Sequence, residues 1–115
     1  MKTNKDILEK ANTAIREGDN EGFLSYCTED TKWIFVGDQI LEGKEAVRRY
    51  MAETYKEPPI FNMELMIERG EYVVSMGEIS LKDAKGEMSN YSACDVWKFR
   101  DGKMCELKAF VILDN

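Results

Sequence analysis

The sequence predicts an α+β domain, with helices packed on one face of a curved antiparallel or mixed β-sheet. Three observations carry that prediction. Apolar residues recur mostly at helical spacing in the first half of the chain, Pro58-Pro59 breaks the pattern, and beyond it the period falls to two and stays there. The final stretch, Tyr91 to Leu113, reads as two long strands joined at Arg100-Asp101-Gly102-Lys103, because an Asp-Gly pair between alternating aromatic and apolar residues is a strong hairpin signal. At 115 residues the chain is expected to form one domain over 1–115 that needs neither disulfide nor metal to bury its core.

The first helix starts at a Thr3 or Asn4 cap and carries Ile7, Leu8, Ala11, Ala14 and Ile15 on its apolar side; Gly18-Asp19 stops it. A short second helix is expected from about Asn20 to Tyr26. Thr31 to Gly37 is rich in β-branched and aromatic residues and predicts a strand with Trp33 and Phe35 on one face. Gly37-Asp38-Gln39 turns the chain. A third helix over Lys44–Lys56 places Val47, Tyr50, Met51 and Tyr55 along one side. After the prolines, Phe61, Met63, Leu65 and Ile67 alternate with Asn62, Glu64, Met66 and Glu68, and Arg69-Gly70-Glu71 turns into a strand over Tyr72–Leu81. Ser75 and Gly77 fall on its inner face, where Gly77 is expected to mark a bend. Asp83 to Gly86 turns into the last hairpin.

Bulk properties narrow the function. A net charge of -6 argues against a nucleic-acid partner, which clustered Lys and Arg would favour. The absence of histidine removes the usual general base and the commonest transition-metal ligand, so no metal or other cofactor is expected. Cys27, Cys94 and Cys105 have no metal-type spacing and read as reduced, small hydrophobic residues. With no apolar run of membrane length, the expected compartment is the cytoplasm.

Asp95 is the one local conflict. If Trp97 and Phe99 face the core, the period of two points Asp95 the same way, among Trp33, Phe35 and Trp97. Burial would raise its pKa and make it a neutral donor or a general acid-base group. It would equally serve as an orienting group bonded to a Tyr hydroxyl or the backbone. Trp33, Phe35, Tyr50, Tyr55, Tyr91 and Trp97 fit either the lining of a pocket for a flat apolar ligand or plain core packing. On the opposite sheet face, Val74, Val96, Phe110 and Ile112 form an apolar patch that predicts a homodimer.

Four segments in order resemble the nuclear transport factor 2-like superfamily, and within it the SnoaL-like and ketosteroid-isomerase-like bacterial proteins. They are Arg16 to Leu24, Thr28 to Trp33, Leu41 to Tyr50 and Val96 to Met104. The resemblance implies a cone: a strongly curved sheet wrapped against three N-terminal helices, a pocket open at one end, and a dimer through the outer sheet face. It also implies a choice of activities, from cofactor-free isomerases, cyclases and dehydratases to proteins with none. Of the three steroid-isomerase site positions, the general base matches Phe35, the tyrosine of the first helix matches Ala11, and only the second acid, Asp95, survives. The resemblance therefore implies a small-molecule-binding protein acting by proton transfer at Asp95, by a route other than steroid isomerisation. The alternative is a non-catalytic dimerisation or interaction module whose pocket is filled by its own side chains.

Overall fold

A computed structural model describes residues 3–83 and 85–114. Ala84, within the expected Asp83–Gly86 turn, lies outside the described residues. The elements are α1 (Asn4–Arg16), α2 (Asn20–Leu24), β1 (Cys27–Phe35), β2 (Gln39–Glu42), α3 (Lys44–Thr54), β3 (Ile60–Arg69), β4 (Tyr72–Lys82), β5 (Met88–Arg100) and β6 (Lys103–Leu113). Among the described residues no helix is long and apolar enough to cross a membrane.

Thr3 caps α1 in a reciprocal arrangement with Asp6, and Leu8, Ala11 and Ile15 bury the inner face of the helix. Asp19 caps α2 by accepting from the Gly22 N–H at 2.8 Å. The first strand begins earlier than the sequence suggests, at Cys27, and the segment after the Gly37 turn is itself a short strand: β2 pairs antiparallel with β1, from Phe35 opposite Gln39 to Lys32 opposite Glu42. The sheet runs β2-β1-β6-β5-β4-β3 and is mixed, since β1 lies parallel to β6 while the remaining pairs are antiparallel. Asp101 and Gly102 both take positive φ, 52° and 77°, which gives the β5–β6 hairpin the twist its strands require.

The expected alternation of β3 needs correction. Met63 pairs with Gly77 and Leu65 with Met76, so Glu64 is an extra residue, a bulge that reverses the phase of the strand. Phe61 and Met63 face inward before it and Met66 after it, while Leu65 and Ile67 are turned to the outer face and are exposed. Gly77 sits opposite the bulge because nothing larger fits: a Cβ there would lie 2.1 Å from the Asn62 carbonyl oxygen. The bend expected at Gly77 is thus made by two strands together.

The core lies between the helices and the inner face. Phe23 of α2 meets Trp33 and Trp97 edge-on, with ring centroids 5.9 and 6.1 Å away, and the two indoles are 6.0 Å apart. Arg16 at the end of α1 stands 4.2 Å from the centroid of the Phe61 ring, tying the helix to β3. Toward the other end of the sheet the inner face is not filled, and that end holds the site.

Candidate ligand-binding site

Strand register assembles the wall of a cavity of about 310 Å³. One row across the sheet runs Phe35, Ala109, Asp95, Ser75 and Met66; the neighbouring row toward the open end runs Val111, Ala93, Gly77 and Met63. Small residues at Ala93, Ser75 and Ala109 leave the volume that aromatic residues elsewhere would occupy. The helices close the other side with Asn12 and Ile15 of α1, Tyr50 of α3 and Tyr55 just after it.

Asp95, Trp33, Phe35, Tyr50, Tyr55, Tyr91 and Trp97 all line this one cavity. The aromatic members touch in series: Trp33 lies 6.0 Å from both Phe35 and Tyr50, and Tyr50 6.1 Å from Tyr55, centroid to centroid. Ala11, by contrast, is fully buried in the helix packing and does not reach the cavity.

Burial pushes the Asp95 carboxyl up to about 7, and among the described residues no hydrogen bond or charge offsets it. Among the described residues the acid is bonded to neither a tyrosine nor the backbone. Tyr55 feels its charge: burial first, then Tyr50 and the Asp95 charge, hold the Tyr55 hydroxyl protonated well above the ordinary tyrosine range. Tyr50 is raised by burial too, although a hydrogen bond with Thr54 opposes the shift. The Trp33 indole N–H is buried with no partner among the described residues. Cys27 is excluded as a nucleophile, since burial pushes its thiol up to about 12.

Three polar residues of the cavity went unread in the sequence. Asn12 is 9% exposed, and its amide has no hydrogen bond among the described residues. Its signal was available: it lies four residues after Leu8 and three before Ile15, on the buried face of α1, the same conflict that marks Asp95. Ser75 was placed on the inner face but not in the site, where it stands directly across from Asp95. Asp38, in the turn after β1, is an exposed carboxylate at the rim. No group of three or more metal-ligating side chains occurs among the described residues.

A curved mixed sheet that holds a largely apolar cavity against its helices, with Asp95 on the wall, defines a cone-shaped α+β fold. The chain belongs to the SnoaL-like domain family, whose model matches residues 8–107. Among similar solved structures is the epoxide hydrolase/cyclase-like enzyme SalBIII, which has a role in pyran ring formation in the polyether salinomycin; TM-score 0.86 at 20% identity, over 94% of this chain and 89% of that one. TerC, co-crystallised with polyporic acid, superposes with TM-score 0.79 at 21% identity, over 96% of this chain and 91% of that one. An NTF2-like protein of unknown function from Burkholderia pseudomallei gives TM-score 0.82 at 19% identity, over 99% and 92%. At these identities the likeness shows the fold alone. No match is found among curated proteins.

Proposed function

We propose that this chain binds a small, largely apolar ring compound in the cavity and exchanges a proton with it at Asp95. One observation carries the reading: a half-buried carboxyl, unpaired among the described residues, stands on an apolar cavity wall, and that setting pushes its pKa up to about 7. Such a group is half-protonated near neutrality and serves as donor and acceptor in turn. The reaction class is cofactor-free isomerisation, cyclisation or dehydration, in which a proton leaves one atom and returns at another. Tyr55, kept protonated by burial, is the donor to an oxygen that gains charge, and Asn12 orients the ligand from the helix side. Steroid isomerisation is left out, since Phe35 and Ala11 stand where its base and tyrosine would be. The small molecules named for SalBIII and TerC support a ligand of this general kind on the same fold. An unfilled cavity of about 310 Å³ counts against a pocket closed by its own side chains.

The reading includes a homodimer through the outer sheet face, supported by the exposure of Phe110, Ile112, Met76, Leu65 and Ile67 there. It includes the cytoplasm as compartment, supported by three free cysteines.

Titration with 1-tetralone, a neutral bicyclic ketone, tests the site by quenching of tryptophan fluorescence. The protonated acid donates to the ketone, so affinity should be constant below about pH 6 and weaken by roughly tenfold per pH unit above 7. In Asp95→Asn the affinity should be independent of pH. No binding, or pH-independent affinity in the wild type, overturns the reading.

A further inference from the structure

The cavity does not end at its rim. Pro59, Leu81 and Tyr91 line it and are also part of a second concavity of about 690 Å³, a groove between the loop after α3 and the ends of β4 and β5. These three side chains form a shared sill, apolar except for one hydroxyl. Beyond it the groove carries Ile60 and Met88, large apolar side chains that are 66% and 46% exposed. Lys82 of β4 and Glu57 of the loop after α3 pair at 2.8 Å across the groove. Both are well exposed, so the pair does not seal the groove against a chain lying beneath it.

We infer that the ligand is longer than the cavity, and that an apolar chain attached to its ring crosses the sill and lies in this groove. The inference rests on the function proposed above, and two dimensions support it. An apolar cavity of about 150 Å³ holds one benzene ring, so about 310 Å³ takes roughly two rings. Asp95 and Tyr91 are four residues apart on β5, roughly 13 Å at the rise of a strand, so a bicyclic head held at Asp95 takes up the cavity as far as the sill and only a chain continues past it. What spans the remainder has to be apolar, because Leu81, Pro59 and the Tyr91 ring offer it almost no hydrogen bonds. The unbranched Met88 side chain adapts to a flexible chain, and the aliphatic stem of Lys82 covers one.

The test compares 1-tetralone, 6-butyl-1-tetralone and 6-hexyl-1-tetralone at pH 6 on the intact protein and on Ile60→Glu and Met88→Glu. Both positions are exposed, and neither lines the cavity. In the wild type each methylene beyond the sill should tighten binding about twofold to threefold, less than full burial gives. In either variant 1-tetralone should bind as before, while the hexyl compound loses at least tenfold. Equal affinity across the series in the wild type, or a chain-length gain that survives both substitutions, overturns the inference and leaves the cavity reading standing. If 1-tetralone itself fails to bind, both fall.

Discussion

Asp95→Asn is expected to stabilise the protein by a few kcal/mol at pH 8.5 and to change it little near pH 4. Asp95 has an ordinary carboxyl pKa of 3.8 when unfolded and about 7 when folded. Between those values the folded chain keeps a proton that the unfolded chain has released, so stability falls as pH rises through the window and levels off above 7. A gap of about three pKa units at about 1.4 kcal/mol each puts the full cost on the order of 4 kcal/mol. Asparagine has nearly the same shape and no charge, so it escapes that cost. Asp6, lowered by the Thr3 capping hydrogen bonds, and Asp30, lowered by Arg100, work in the opposite direction. Both are unchanged in the variant and cancel in the comparison. Urea denaturation of the two proteins at both pH values measures the difference; an equal increment at pH 4 and pH 8.5 contradicts it.

Phe110→Lys is expected to convert a dimer into a monomer. Leu65, Met76, Cys94 and Phe110 stand side by side across β3, β4, β5 and β6, and Ile67, Val74 and Val96 form the next row on the same outer face. Phe110 is 39% and Ile112 67% exposed, so in a lone chain the patch faces water. In a two-fold dimer every residue of the patch is used twice, and a lysine at Phe110 places two ammonium groups in one apolar contact. Association should weaken by more than about a hundredfold, the scale of losing a central anchor. Sedimentation velocity at micromolar concentration should find dimeric wild type and monomeric variant. A monomeric wild type, or a variant that remains dimeric, contradicts the proposed interface.

Much of this architecture was legible because local and long-range signals agree. The Thr3 cap and the Asp101-Gly102 turn are each decided by a few neighbouring residues and appear where the sequence placed them, whereas α3 ends at Thr54, two residues short of the expected Lys56 and well ahead of Pro58-Pro59. The inner face of β5 follows from alternation alone, which is why Asp95 stands out in the sequence. What was missed depends on partners distant in sequence. β2 has four residues, too few to show a period, and forms because β1 offers it an edge. The bulge at Glu64 hides within Leu65-Met66-Ile67, where three successive apolar residues fit either phase of a strand. The parallel pairing of β1 with β6 joins distant parts of the chain and leaves no local mark. Asn12 was passed over because a single polar residue on a helix is ordinary; only its place between Leu8 and Ile15 distinguishes it.

The proposed chemistry turns on an acid in an apolar cavity that titrates near neutrality. Carboxyl carbon shifts of isotopically labelled protein, assigned to Asp95 through its loss in Asp95→Asn, measure that property without any ligand. A midpoint near pH 7 is the predicted result. A midpoint near pH 4, the value of a solvated aspartate, would contradict the account.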